Sequence, residues 1–239
     1  MISDKFKCIF IHIPKTAGSS IELFFDEYPE EQHVLATKCI SLYGKQKWSK
    51  YYRFAFVRNP WDRIVSWFLW SNRDCFHYNW KTAAGFGTWA NKQTEWGIGG
   101  GHPKVQEGWY TSLKDDFERF VLSIENTKDK DDYDLLIKGN AYKGKWIASQ
   151  STWIKNSRGK MVLDFVGKYE NLEQDFKKVC TKLNIKYQPL AKAKVLYNRP
   201  HYSNFYNKKT KERIAKLYDD DIRNFNYRYE EKNETKHKM

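Results

Sequence analysis

The sequence has little cysteine and no long apolar run, and these two shortages narrow the classes of protein it can belong to. Its four cysteines are scattered, with no CxxC pair and no histidine at zinc-ligand spacing, so neither a disulfide framework nor a zinc finger is predicted. No stretch approaches the ~20 apolar residues that a membrane-spanning helix needs. The apolar run near the start is too short for a signal peptide. We therefore expect a cytoplasmic protein without a membrane anchor.

Charge is the most unbalanced property of the composition. Lysine and arginine number 42 against 29 acidic residues, which gives a formal net charge of +13. Such a balance favours anionic partners, although a solvated basic surface would produce the same count. The basic residues are spread along the chain and no nucleic-acid motif is present, so a nucleic-acid partner is not expected. A basic nucleic-acid-binding module stays open as an alternative.

Apolar runs alternate with amphipathic helical patterns along the chain. Buried strands are predicted at residues 7–13, 52–57 and 161–169. Helices are predicted at 19–28, with Ser19 or Ser20 as the N-cap, at 61–70, from Leu172 to Leu183, and at 210–225. This order predicts an α/β, P-loop-like three-layer fold in which helices cover both faces of a central parallel sheet.

The domain organisation follows from two interruptions of this pattern. Residues 71–112, approximately, are rich in tryptophan and contain a run of glycines, so they are predicted to be an inserted, lid-like segment. Its aromatic rings could stack on a sugar or form a small core of their own. Residues 1–229 are predicted to form a single domain, and the charged residues 230–239 a frayed tail.

The segment PKTAGSS, residues 14–20, follows the first predicted strand and has the chemistry of a phosphate cradle. Small residues let successive backbone N–H groups face one anion, and the next helix adds its positive end. The predicted binding residues are Lys15, Thr16, Ala17, Gly18, Ser19 and Ser20. The motif is not a Walker A loop, because the lysine precedes the glycine, so no metal is expected. An ordinary strand-to-helix turn is the alternative.

A second candidate anion site follows the second predicted strand. Arg58 stands at the strand end, where a guanidinium can grip a phosphate with two hydrogen bonds. Ser66 lies about two helical turns further on and can face the same side. The alternative is that Arg58 only pairs with a nearby acid such as Asp62.

Together these motifs resemble those of the PAPS-dependent carbohydrate O-sulfotransferases, the family of heparan-sulfate and chondroitin enzymes and small bacterial relatives. The resemblance implies an enzyme that transfers a sulfonyl group from 3′-phosphoadenosine-5′-phosphosulfate (PAPS) to a hydroxyl of a carbohydrate or small hydroxylated acceptor. It implies that residues 15–20 hold the phosphosulfate, that Lys15 stabilises the departing charge, and that Arg58 and Ser66 hold the 3′-phosphate.

Three further residues are implicated by the same resemblance. Residues 165–172 are similar to a later strand and helix of the family, which implies that Tyr169 lies near the adenine. Residues 198–202, with Arg199, resemble the family's C-terminal part and imply a role in cofactor binding. A histidine between the two motifs is the base in heparan-sulfate-type members, which implies His33 here; the rival histidines are His12, His77, His102 and His201.

Two other functions remain open at this point. A P-loop nucleotide kinase would require ATP and Mg²⁺, and the order of lysine and glycine in residues 14–20 opposes it. A nucleic-acid-binding module would show steeply salt-dependent binding. The sequence does not identify the acceptor and does not separate O-sulfation from N-sulfation.

Overall fold

The fold is built on a four-stranded sheet in the order β1-β2-β3-β4. The computed structural model describes residues 1–27, 33–71, 114–124, 147–193 and 199–231. The strands are β1 Ile2–Ser3, β2 Cys8–Ile11, β3 Tyr52–Val57 and β4 Phe165–Lys168. β2, β3 and β4 are parallel, as predicted, but β1 pairs antiparallel with β2, so the sheet is mixed. Only four residues join β1 to β2, and so short a connection permits only antiparallel pairing.

The central strands are buried on both faces, because their alternate side chains enter two separate apolar clusters. One cluster receives Ile9, Ile11, Ala55 and Val57. The other receives Cys8, Phe10, Phe54 and Phe56. A strand buried on both sides reads as a continuous apolar run, which is why the sequence predicted β3 with its observed limits.

Helices cover both faces of the sheet, which confirms the three-layer α/β prediction. The phenylalanine-rich face packs against α1 Gly18–Phe25 and α7 Leu172–Lys182. The opposite face packs against α2 Ala36–Tyr43, α3 Lys45–Lys50 and α6 Gln150–Ile154.

A third apolar cluster lies beside the sheet. It joins α4 Pro60–Ser71, α5 Lys114–Ser123, α8 Lys208–Leu217 and a 3₁₀ turn at Tyr202–Phe205. The helix predicted at 210–225 is in fact two helices, since α8 ends before Tyr218 and α9 is Asp219–Phe225. The Tyr218 hydroxyl donates to the Ile147 carbonyl at 2.5 Å, a contact that the helical periodicity could not reveal.

Several sequence predictions fall outside the described residues. The lid-like segment at about 71–112 does so except for its first residue, and so do residues 232–239 of the tail. At the start of the tail, Glu230 donates its backbone N–H to the Tyr202 hydroxyl at 2.6 Å. No helix in the described ranges is long and apolar enough to cross a membrane. Cys8 is fully buried, and burial raises the pKa of its thiol to about 12.

Candidate active site

The two predicted anion-binding motifs meet at one edge of the sheet. The PKTAGSS loop follows β2 and Arg58 follows β3, and these strands are parallel neighbours with Ile11 paired to Ala55. The Arg58 side chain donates from Nη1 to the carbonyl of Lys15 at 3.2 Å. The arginine of the second motif thus braces the loop of the first. Carboxyl ends of parallel strands are where such folds bind ligands.

The loop is shaped by two residues in the left-handed region. Lys15 has φ 69° and Ala17 has φ 70°. The fully buried Thr16 lies between them, and its hydroxyl donates to the Ile13 carbonyl at 2.9 Å. The predicted N-cap at Ser19 or Ser20 is wrong, because the turn at Ala17 starts α1 at Gly18. Both serines therefore lie in the first helical turn.

Gly18 is required by the close approach of a histidine ring. A Cβ atom at this position would lie 1.9 Å from Cδ2 of His12, far inside van der Waals contact. His12 is buried, and its Nδ1 lies 2.8 Å from Oε1 of the buried Glu22 on α1. A carboxylate can only accept, so Nδ1 of His12 carries the proton. The beginning of the loop is thereby fastened to the helix that follows it.

The polar side chains of the loop differ in whether they already have partners within the protein. The half-buried Ser19 hydroxyl has no hydrogen-bond partner within the described ranges, whereas the Ser20 hydroxyl accepts from the backbone N–H of Ala193 at 3.3 Å. The Lys15 ammonium lies 5.2 Å from the centre of the Trp70 ring on α4. The loop therefore offers hydroxyl donors and a cation at the N-terminal end of α1.

Arg58 is buried and forms an ion pair with Asp62. The alternative considered from the sequence, that Arg58 pairs with a nearby acid, is therefore correct in part. Its Nε donates to Asp62 at 2.7 Å, and the other carboxylate oxygen accepts from Arg199. Burial alone would raise the pKa of Asp62, but the two guanidinium groups lower it below its usual value. Two arginines share the Asp62 carboxylate, and the nearby Glu170 carboxylate also acts on Arg58.

The second anion site has one buried donor that remains available. Nε of Arg199 is buried without a hydrogen-bond partner among the described residues. Arg199 lines a cavity of about 270 Å³ together with His201 and the acids Asp62, Glu170 and Glu230. An orphaned buried donor is costly unless a ligand or water satisfies it. An anion in this cavity would supply the missing acceptor.

Tyr169 and Ser66 are the other two residues that the sequence predicted to act with Arg58. The Tyr169 ring centre lies 3.9 Å from Cζ of Arg58, so the phenol ring stacks against the guanidinium. Ser66 lies half-buried on α4, and its hydroxyl makes no hydrogen bond to any residue that the structure describes. The structure brings Tyr169 directly to Arg58 and leaves the Ser66 hydroxyl available as a donor.

Three residues that the sequence reasoning missed hold these motifs in place. The Gln150 side chain accepts from the N–H of Arg58 and donates to its carbonyl, both at 2.8 Å. The fully buried Asp221 accepts from the N–H of Gln150 at 2.7 Å. Arg63 is buried and donates to the Pro14 carbonyl at 3.0 Å, behind the loop. Gln150 and Asp221 lie far from Arg58 in the sequence, so no local pattern marked them. Arg63 lies only five residues after Arg58.

His33, the residue predicted as the base, contacts the strand end that leads into the loop. Its Nδ1 donates to the carbonyl of His12 at 3.0 Å, and the two imidazole centres are 4.2 Å apart. A carbonyl only accepts, so the neutral His33 ring carries its proton on Nδ1 and its lone pair on Nε2. Among the rivals, His201 lines the cavity near Arg199, while His77 and His102 lie outside the described residues.

Comparison with known proteins identifies the family. A family model described as the sulfotransferase family matches residues 1–228. The chain belongs to the sulfotransferase family. No match to the chain was found among curated proteins or among solved structures.

Membership means that this sulfotransferase transfers sulfonyl groups, and the matched span contains the PKTAGSS loop, Arg58 and Arg199. No group of histidine, cysteine, aspartate or glutamate side chains in the described part of this sulfotransferase is arranged to hold a metal ion. The PKTAGSS loop and the group of Arg58, Arg199 and Asp62, which we call the arginine site, offer hydroxyl, guanidinium and backbone N–H donors that suit an anionic substrate.

Proposed function

We propose that this sulfotransferase transfers a sulfonyl group from PAPS to a hydroxyl of a carbohydrate or small hydroxylated acceptor. The observation that carries the proposal is the hydrogen bond from Arg58 to the Lys15 carbonyl. It joins the two anion-binding motifs at one sheet edge, as a nucleotide with anionic groups at both its 5′ and 3′ positions requires. A cytoplasmic location remains a prediction.

The 5′ end of the nucleotide is assigned to the PKTAGSS loop. The N–H groups of the first turn of α1 and the Ser19 hydroxyl would donate to phosphosulfate oxygens. Lys15 would stabilise the negative charge that builds on the bridging oxygen as the bond to sulfur breaks. Such donors act more strongly in a site that excludes water, because the local dielectric constant is low.

The 3′-phosphate is assigned to the arginine site. The unpartnered Nε of Arg199 and the positive charge shared by Arg58 and Arg199 supply donors and charge. Ser66 adds a hydroxyl from α4. Tyr169 stacks on Arg58 and extends a flat aromatic surface on which an adenine could lie.

The acceptor is activated by His33 in this proposal. Its Nε2 takes the proton of the acceptor hydroxyl, and the donation from Nδ1 to the His12 carbonyl fixes the tautomer that can do so. The new bond joins the acceptor oxygen to sulfur, and the bond from sulfur to the 5′-phosphate oxygen breaks. The products are the sulfate ester and 3′-phosphoadenosine-5′-phosphate (PAP), with the proton on His33.

Calorimetric titration with PAP, AMP and ATP–Mg²⁺ tests this proposal. We expect the wild-type protein to prefer PAP, because only PAP carries the 3′-phosphate that the arginine site would bind. Arg58→Lys keeps the charge but loses the two-point guanidinium contacts, so PAP affinity should fall about tenfold or more. Arg53→Lys is the matched control, since Arg53 lies at the other end of β3 in an ion pair with Asp164.

Each outcome has a definite meaning. Loss of the preference for PAP in Arg58→Lys, with Arg53→Lys unchanged, would support the nucleotide site. A preference of the wild type for ATP–Mg²⁺ would replace the proposal with a nucleotide kinase. Equal binding of PAP and AMP would remove the role assigned to the arginine site.

A further inference from the structure

A basic cleft lies at the opposite edge of the sheet from the candidate active site. Its volume is about 690 Å³, within the ~300–1,000 Å³ range typical of small-molecule sites. Five lysines from three separate stretches of chain line it. They are Lys5, Lys7, Lys50, Lys182 and Lys186, and we call their site the lysine cleft.

The position of the lysine cleft separates it from the nucleotide site. Lys7 immediately precedes β2, and Lys50 lies at the end of α3, two residues before β3 begins. The PKTAGSS loop and Arg58 follow the other ends of the same strands. The six residues of β3 span about 20 Å at the usual rise per residue. One ligand of nucleotide size therefore does not reach both sites.

One wall of the lysine cleft is a closed helix end. α7 ends at Lys182, and the chain then turns at Asn184, whose φ is 53°. The N–H of Ile185 returns to the Cys180 carbonyl at 2.9 Å and closes the turn. This turn fixes the backbone that presents Lys182 and Lys186 on either side of it.

The positive charge of the lysine cleft is only partly compensated: Lys7 donates to the Tyr51 hydroxyl at 3.5 Å, and the charges of Asp4 and Asp164 act on Lys7 and Lys182. None of the five lysines forms an ion pair with a carboxylate in the described ranges. The two acids whose charges reach this region are Asp4 and Asp164. Asp4 is bound to Lys47 at 2.8 Å, and Asp164 to Arg53 at 2.7 Å. Like charges gathered around one cleft repel, and a multivalent anion would relieve the repulsion.

The lysine cleft also contains apolar surface. Phe6, Tyr52 and Leu183 also line the cleft, and the Lys5 ammonium is 4.9 Å from the centre of the Phe6 ring. Several separate point charges together with apolar surface suit a saturated ring with charged substituents. Lysine ammonium groups accept sulfate and phosphate alike, without the planar fork of arginine.

We infer that the lysine cleft binds a compact polyanion, a sugar or cyclitol ring that carries several sulfate or phosphate esters. The inference goes beyond sulfonyl transfer and does not depend on it. The shared chemistry is the cluster of ester oxyanions on a small ring. Sulfated and phosphorylated sources are separated by the two probes below.

Calorimetry with inositol hexakisphosphate and with a sulfated heparin disaccharide tests the inference on the full chain. The cleft variant is Lys50→Gln/Lys182→Gln/Lys186→Gln. The matched control, Lys45→Gln/Lys208→Gln/Lys216→Gln, removes the same charge from exposed lysines outside the cleft. We expect one-to-one binding of at least one probe, weakened about tenfold or more in the cleft variant and about twofold or less in the control.

The results separate a built site from a generally basic surface. Binding of only the phosphate probe or only the sulfate probe identifies the source of the oxyanions, and either supports the inference. Equal weakening in both triple variants, or no binding of either probe, overturns it. Loss of PAP affinity in the cleft variant would also contradict it, because the two sites would then not be separate. A single-stranded oligonucleotide that binds more tightly than both probes, and only with the cleft intact, would replace it with a nucleic-acid site.

Discussion

His33 and His12 differ in the groups that hold their rings, a difference that the sequence could not reveal. The Nδ1 of His12 is engaged by the buried Glu22, and its ring lies against Gly18. The Nδ1 of His33 is held by a backbone carbonyl instead. A carbonyl can only accept, so its contact with Nδ1 leaves the lone pair of the neutral His33 ring on Nε2, the atom that the proposed base would use.

We expect His33→Ala to lower kcat by about 10²–10⁴-fold, the usual contribution of a general base. PAP affinity should change little, because neither assigned phosphate site uses this side chain. Steady-state kinetics and calorimetry on the same preparation separate the two effects. Turnover near the wild-type rate would remove His33 from the mechanism, and a loss of PAP affinity would instead place it in nucleotide binding.

At the scale of secondary structure elements, the arginine site depends on two short helices near it in space. Asp221 on α9 accepts from the first N–H groups of α6, at 2.7 Å from both Gln150 and Ser151. α6 in turn presents the Gln150 amide that holds the backbone of Arg58. A carboxylate at a helix N-terminus is favourable because it satisfies unpaired N–H groups and the helix dipole.

Asp221→Asn should therefore affect both stability and binding. We expect the free energy of unfolding to fall by about 1.5–3 kcal/mol, the range for a buried hydrogen bond to a charged group. PAP affinity should also fall, because Gln150 loses the partner that orients it. Urea unfolding and calorimetry measure the two quantities. Asp219→Asn, an exposed neighbour paired with Arg223, should change neither. Equal effects in the two variants would refute the role given to Asp221.

Helices and strands with strong local sequence patterns were predicted correctly, whereas features that depend on distant contacts were not. β3 was predicted with its observed limits, and α4 within one residue at each end, because both have strong local patterns. The break between α8 and α9 was missed, since the apolar spacing continues through it and a tertiary contact of Tyr218 accompanies it. Gln150 was missed because it lies 92 residues from Arg58, a distance over which one sequence carries no pairing signal.

At the scale of the whole molecule, the arginine site contributes to the pH dependence of stability. The pKa of Asp62 lies below the ordinary value of 3.8, so the unfolded chain binds this proton more readily than the folded one. The stabilisation of the fold by the ionised Asp62 carboxylate is present above pH 3.8 and is lost as the pH falls through and below that value.

Unfolding measured from pH 6 to pH 3 tests this in wild type and Asp62→Asn, with about 0.5 pH between points. We expect the wild type to be more stable at pH 6 and the difference to narrow as the pH falls below about 4. Asp164→Asn is the comparison, because that side chain is 35% exposed against 16% for Asp62. The difference in stability between wild type and Asp164→Asn should be smaller, since solvent screens exposed ion pairs. If the difference in stability between wild type and Asp62→Asn did not change with pH, the contribution assigned to the ionised Asp62 would be wrong.

The contact between Asp221 and α6 has a consequence for the order in which the molecule acquires its function. A ribosome releases the PKTAGSS loop and Arg58 early, while α9 is among the last described elements to emerge. Until then Gln150 lacks the carboxylate that orients it, so the nascent chain holds a sheet but an incompletely supported arginine site. The proposed competence to bind a nucleotide would therefore arrive only after α9 has emerged, when the strands of the sheet have already had the opportunity to pair.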